Sequence, residues 1–539
     1  MNLILDPWIP IRDAAGCVRD ISPLDLASTE PAALELAALR PDFNGAIAQF
    51  LIGLLQLVGP AKGRDWKSVM SGAQPFPVEA LRDWSPDFEF DCGDRRVMQD
   101  MQVAEDSASN ELDALLLESP GANAVRNNSD LFIKRRDASA FSVRIVAQAL
   151  ICLQINAPSG GQGHRTSLRG GGPVSYPWWP TERNDAQVPL WQKLWANVQA
   201  LEGECRREVA LPWTADCLTS EGGADVTAQL DARYSELSDK EKSVLCYFAT
   251  PRRIRLTFSD DVTCGLTGDR GRGATGYATK NFGANYLSHL FRHPLSSYYQ
   301  LKEQWLPTHL SDAGFSYIDW IQAQQSSGTL SAPSVLSDPH RDRVQDWLGV
   351  EGETGVWAFG FKMDNMKCEA WLEARYPVLL GVPAEHRGVL FDQARLMIAA
   401  TQSCLGHLRR ALRAAWSDEG KKGDTSAAER RLISDTESEF YRLIKGMAVN
   451  TSATAEGAEL RAVHKDKWKK ALTTSALKVF EAQAQAGDAR NESLKVMRRA
   501  ASAILQLGLG LRADLPIALG LATESGSGKS KRTKGRKVA

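Results

Sequence analysis

Nine cysteines are scattered through the 539-residue chain without a single CxxC pair. A structural zinc site needs closely spaced thiols or imidazoles, and a secreted scaffold needs a dense disulfide framework. Neither pattern is present, which predicts reduced thiols, no bound metal and a cytoplasmic protein. Long apolar runs are missing as well: none reaches the roughly 18–20 residues that a membrane span requires. The opening MNLILDPWIPIRD has no basic n-region and meets Pro7 too early for a secretory signal. Charge of one sign is also lacking. Lys and Arg number 64 against 65 Asp and Glu, a formal net charge of −1 with a pI near 6.7. A protein that holds a long stretch of DNA alone is usually more basic. Any nucleic-acid contact is therefore expected to be local, with other chains supplying most of the positive field.

Catalytic signatures are equally scarce. No GxSxG elbow occurs, and no His/Asp cluster suggests a nuclease. GSGKS at 526–530 resembles the end of a phosphate-binding loop, but the motif's first glycine is replaced by Thr523, and KRTKGRK follows instead of a helix. His289 and His293 are spaced i, i+4, yet Leu290 stands where a metalloprotease carries its glutamate, and Pro294 ends any helix there. Structural histidines are the expectation. Cys264 has no ligand-spaced neighbour. No catalytic residue and no cofactor are predicted.

What the chain does have is organisation. LILDPWIPI and CVRDISP read as strands around the turn Asp13-Ala14-Ala15-Gly16. Ala32 to Val58 has helical spacing broken at Pro41, which suggests two helices. Phe141 to Leu153 reads as a buried helix, and RRIRLTF (252–258) alternates like a strand. Trp178, Trp179, Trp191, Trp195 and Trp213 suggest core or interface anchors. Beyond about residue 376 proline nearly vanishes. Leu390, Ala394, Met397, Thr401, Cys404, Leu408, Ala411 and Ala415 step by four and three, and shorter stripes follow near 425–445, 456–482 and 490–511. The predicted class is α+β: a large mixed N-terminal domain (1–375), a C-terminal four-helix bundle (376–521) and a disordered basic tail (522–539).

The most unusual segment is INAPSGGQGHRTSLRGGGPV, in which six of the thirteen residues 160–172 are glycine. Glycine lets backbone approach a ligand closely and adopt positive φ. With Arg165 and Arg169 nearby, and Ser159, Thr166 and Ser167 as hydroxyl donors, such a loop can hold phosphates or enter a groove. A surface loop with incidental charges fits the composition as well.

Four segments, LILDPWIPI, NAPSGGQGHRTSLRGGGPV, TPRRIRLTF and AFGFKMDNMKCEAW (358–371), occur in the order found in one family. Over essentially its whole length the chain resembles the CasA family, the large subunits of type I-E CRISPR Cascade surveillance complexes. The resemblance implies a subunit without catalysis of its own. Guide crRNA would read the target by base pairing, while this subunit checks the short protospacer-adjacent motif (PAM) in double-stranded target DNA. Its partners would be the other Cascade subunits and a helicase–nuclease recruited after target binding. It further implies that Ser159, Gly160, Gly161, Gln162 and Gly163 enter the minor groove, and that Asn365, Met366 and Lys367 form a wedge between base steps. A basic finger is expected after the RRIRLTF strand. TCGLTGDRGRGATGY contains no lysine, so Arg270 or Arg272 are the candidates; only Cys264 remains of a cysteine cluster that some relatives carry there. NAVRNNSDLFIKRRD (123–137) matches a loop that locks onto guide RNA and neighbouring subunits, through Asn127, Asn128, Phe132, Lys134 and Arg135. Two other readings compete: a phosphate- or nucleotide-handling enzyme built on the glycine loop, and a pure scaffold subunit.

Overall fold

The structure is a computed structural model. It describes the chain except for residues 105–108, 129–138, 161–162, 222–235, 287–290, 312–313, 325, 327, 350–354, 365–366, 379–381, 383, 417–422, 450–454, 485–493 and 523–539. The basic tail from Thr523, the GSGKS segment and His289 lie outside the described residues. The chain forms two compact units. One comprises Met1–Phe315 and Gln322–Gly381; the other comprises Ser316–Ile321 and Val382–Ala539.

The first unit opens with a three-stranded antiparallel sheet. Strand Ile9–Asp13 lies between Val18–Ile21 and Ala33–Leu36. The expected turn forms: Asp13 Oδ1 accepts hydrogen bonds from the Ala15 and Cys17 amides at 3.0 and 2.9 Å. The expectation of two helices over 32–58 is corrected. Ala33–Leu36 is a strand, and one helix runs Pro41–Leu57. Pro41 sits at the first helical position, where its missing N–H costs nothing and its fixed φ suits the helix, so it starts a helix rather than joining two. The short ALEL stretch has no intrinsic commitment, and pairing with the Ile9–Asp13 strand decides it.

That helix is buried on nearly every side, and its neighbours are the helices Val143–Asn156 and Asp239–Phe248. Phe50 makes edge contacts with Trp8 at 5.5 Å and Phe248 at 5.5 Å. Trp178, Trp179, Trp195 and Trp213 are core residues, while Trp191 is half-buried against Phe76. Two long hairpins complete the frame. In one, Arg253–Thr263 pairs with Arg270–Lys280. In the other, Gly355–Asp364 pairs with Lys367–Pro377. The strand Lys367–Pro377 thus carries hairpin structure past residue 375.

The second unit contains the helices Ala384–Trp416, Ser426–Val449, Ala455–Ala484 and Leu494–Ala518. All eight residues of the stripe from Leu390 to Ala415 are buried. Its small members, Ala394, Cys404 and Ala411, let neighbouring backbones come close. Trp468 donates from Nε1 to the Met397 carbonyl at 3.0 Å, and Tyr317 stacks on Phe440 at 4.5 Å. The aromatic cluster therefore draws residues 316–321 into the bundle's core.

Candidate nucleic-acid interface

The buried helix Val143–Asn156 delivers the chain to the glycine loop. A neck closes where the Ser167 amide donates to the Ala157 carbonyl at 2.9 Å and the Gly172 amide to the Asn156 carbonyl at 3.2 Å. Ser159 and Gly160 are exposed beyond the neck, and Gly163 is half-buried; Gly161 and Gln162 lie outside the described residues.

The described glycines are dictated first by the protein itself. A Cβ on Gly160 would stand 2.6 Å from Arg252 Nη1 and 2.8 Å from the His164 Cβ. One on Gly163 would meet the Asn281 Cβ at 2.7 Å, and the Gly163 carbonyl accepts the Phe282 amide at 2.7 Å. Gly172 has φ +63, and its Cβ would lie 2.5 Å from the Phe361 carbonyl oxygen.

The arginines of the loop divide into roles that the sequence could not separate. Arg169 is a core residue. It donates to Ser175 Oγ (2.8 Å), Ser296 Oγ (2.7 Å) and Gln49 Oε1, and burial lowers its pKa to about 10. It stays charged near neutrality but cannot touch a ligand. Arg165 donates to Ser220 Oγ at 3.1 and 2.8 Å. Arg252, just before the Arg253–Thr263 strand, donates to the Pro158 carbonyl, and burial lowers its pKa to about 10. Burial, and then the charge of Arg252, hold the His164 ring below its usual pKa, so it is neutral near pH 7. Among the described residues none of these three arginines bonds a carboxylate. By contrast Arg253 is buried against Asp100 at 2.6 Å. The loop therefore rests on arginines that bond no carboxylate among the described residues.

Beyond the loop, residues 173–179 run along the second hairpin. Ser175 and Phe359 exchange backbone hydrogen bonds (2.9 and 3.0 Å), Trp357 donates to Pro177 and Trp179 to Gly355. The hairpin register pairs Asp364 with Lys367, leaving Asn365 and Met366 as the connecting two residues. Those two lie outside the described residues; Lys367 is exposed at the end of its strand. Met363 and Asp364 on one strand and Lys367 on the other thus belong to one β-hairpin. Gly172 packs on Phe361 and Met363, beside this end of the hairpin. The structure thus sets Gly172, at the base of the glycine loop, against the strand that leads to the expected wedge residues.

It does not bring the finger candidates to them. Thr263 pairs with Arg270 and Arg253 with Lys280, so Arg270 stands at the opposite end of the first hairpin from the glycine loop. Ten residue steps at a strand's rise make that separation about 30 Å. Arg272 is also engaged: its Nε donates to Asp91 Oδ2 at 2.7 Å, it contacts Asp260, and the hydrogen bond to Asp91 raises its pKa. Arg270 is exposed and has no ion-pair partner among the described residues. The lysine beside the loop is Lys280, next to the Asn281 that packs on Gly163 and held by Glu221 at 3.2 Å. Neither Arg252 nor Lys280 carries a sequence signal of its own; only the strand register shows them.

The remaining candidates are quickly placed. Asn127 and Asn128 are exposed at the end of the short helix Ala122–Arg126, while Phe132, Lys134 and Arg135 lie outside the described residues. His293 is buried, accepts the Leu295 amide on Nδ1 at 3.1 Å and packs on Tyr247. Glu89, Asp91 and Cys92 cluster as metal ligands would, but Asp91 is bound by Arg272 and the Met1 amine, and Glu89 by Asn2.

A mixed unit that laces a glycine loop to a β-hairpin, with a helical bundle following it in sequence, defines the class. The sequence model of the CRISPR-associated protein Cse1 family matches residues 2–479, and the chain belongs to that family. The same fold is found in Thermobifida fusca Cse1, with 17% identity over 96% of this chain and 98% of that one and a TM-score of 0.67. Thermus thermophilus CasA gives 16% identity over 95% and 99%, with a TM-score of 0.65. A chain from a structure titled CRISPR RNA-guided surveillance complex gives 15% identity over 94% and 99%, with a TM-score of 0.63. No curated protein matches the sequence.

Proposed function

We propose that this chain is the non-catalytic large subunit of a type I-E Cascade complex, and that it recognises the PAM in double-stranded target DNA through the minor groove. The observation that carries this reading is the joining of the glycine loop, whose arginines bond no carboxylate among the described residues, to the hairpin whose strands end at Asp364 and Lys367. In the proposed sequence of events Ser159, Gly160, Gly161, Gln162 and Gly163 meet the groove first. A groove rich in base acceptors and flanked by phosphates favours a positively charged support. Asn365, Met366 and Lys367 then separate the first base pairs, at a cost of a few kcal/mol that guide pairing offsets. Lys280, rather than Arg270 or Arg272, takes the role of the basic finger, because it lies beside the loop. Asn127, Asn128, Phe132, Lys134 and Arg135 contact guide RNA and neighbouring subunits, and the subunit offers a docking surface for the helicase–nuclease.

Titrating labelled duplex DNA into the purified chain, with and without the guide-loaded remainder of the complex, tests this reading. PAM-dependent binding is expected only in the complete assembly. Equal binding with and without the PAM would reduce the chain to a scaffold. DNA cleavage or ATP hydrolysis that a point mutation in this chain abolishes would refute the non-catalytic assignment.

A further inference from the structure

Arg252 occupies the space that a side chain at position 160 would need. Its Nη1 and Nη2 lie 2.6 and 3.1 Å from the place of a Gly160 Cβ, and its guanidinium donates to the Pro158 carbonyl. The Arg252 backbone is itself fixed: its amide donates to Gln154 Oε1 and its carbonyl accepts from Gln154 Nε2, both at 3.0 Å. Gln154 is buried in the last turn of the helix that enters the loop and also donates to the Met98 carbonyl at 3.0 Å. One side chain of that helix thus holds Arg252, just ahead of the Arg253–Thr263 strand, and Arg252 reaches back to the loop. The Arg252 Nε is buried with no hydrogen-bond partner among the described residues. A half-buried arginine with a neutral acceptor and an idle donor is an expensive way to fill space.

We propose that Arg252 is the positioning residue of the glycine loop. By pinning the Pro158 carbonyl and filling the Cβ space of Gly160, it fixes the backbone of Pro158–Gly160, from which the loop meets DNA. This rests on the loop being a DNA contact. Gly160 is then glycine for two partners at once: a Cβ displaces the guanidinium before it can reach the groove.

The test uses the complex assembled with guide RNA and the other subunits, and intact duplex carrying the PAM. Arg252→Met is expected to weaken binding about tenfold, the worth of a hydrogen bond from a charged donor. Arg252→Lys, which keeps the charge and can still reach Pro158, is expected to recover most of that loss. Gly160→Ala should lose about as much as Arg252→Met, and the double variant no more than either single, because both remove one arrangement. Unfolding midpoints measured alongside identify any variant that fails to fold, and the Lys variant decides in that case. Arg252→Met binding like the parent, Lys binding no better than Met, or losses that multiply in the double variant each overturn the positioning role. Gly160→Asp tells the two readings apart. If it abolishes binding while Arg252→Met does not, only the positioning role fails; if neither affects binding, the loop itself is not a DNA contact.

Discussion

Gly172 and Phe361 approach so closely that a Cβ on the glycine would stand 2.5 Å from the phenylalanine carbonyl oxygen. The atom in the way is backbone in a paired strand, so it cannot swing aside as a side chain would. Gly172 also has φ +63, which an L side chain adopts only with strain. Gly172→Ala is therefore expected to destabilise the first unit by about 2–3 kcal/mol. Denaturant unfolding measures this directly, and an unchanged midpoint would show that the contact has room to relax.

At the other end of the loop, Gly160→Asp places a carboxylate against Arg252 and a negative charge beside the groove. In the assembled complex this variant should lose PAM-dependent binding, whether the duplex is intact or already unpaired beside the PAM. Asn365→Ala and Met366→Ala should bind the pre-opened duplex nearly normally and the intact one poorly. Equal rescue of all three would mean that contact and opening are not separable steps.

Lys280 and Arg270 stand at opposite ends of one hairpin. Lys280→Ala should weaken duplex binding and reduce the slope of log affinity against log salt by about one, as loss of one phosphate contact does. Arg270→Ala should leave both unchanged. The reverse pattern would restore Arg270 as the finger.

Asp319 gives the bundle unit a dependence on pH. Ser316 donates to its Oδ2 from amide and hydroxyl, at 3.2 and 3.0 Å, but burial outweighs these bonds and lifts the carboxyl from 3.8 to about 6. The folded state therefore holds this proton more tightly than the unfolded state. Its contribution is fully present below about pH 4, is lost as pH rises towards 6, and stays lost above that. Burial of Glu437, which like Asp319 faces Tyr441, acts in the same direction. Asp319→Asn should flatten the slope and stabilise the unit at pH 7.5 by about 1 kcal/mol, a value reduced because the carboxyl is partly open to solvent. Melting curves between pH 4 and 8 decide it; parallel curves for both proteins would remove Asp319 from the account.

The legible parts of this chain are those where one local signal settles the outcome. The stripe Leu390–Ala415 has one periodicity and one buried face, so the first bundle helix could be read directly. Ala33–Leu36 could not, because its four residues suit helix or strand and a partner more than twenty residues away makes the choice. The site shows the same division. The glycine density of 160–172 marks a special loop, but spacing alone could not show that Arg169 points into the core while Arg252 reaches in from a segment some eighty residues further on, before a strand. The finger candidates stand on the strand at the turn end of the hairpin, whereas the loop packs at the opposite end. Lys280 lies only three residues beyond the segment TCGLTGDRGRGATGY. Register, which composition does not encode, separates the two ends.

The backbone bonds between Ser175 and Phe359, with those at Trp357 and Trp179, bridge the segment after the loop to the Gly355–Asp364 strand of the second hairpin. The loop and the hairpin are thus inherited as one part, although nearly two hundred residues separate them in the chain. Transplanting residues 156–179 from a relative with a different PAM would bring a segment cut to fit another hairpin. A functional exchange of specificity should therefore require moving 156–179 and 355–377 together. Where the two segments come from different parents, the chimera should fail at folding before it fails at recognition.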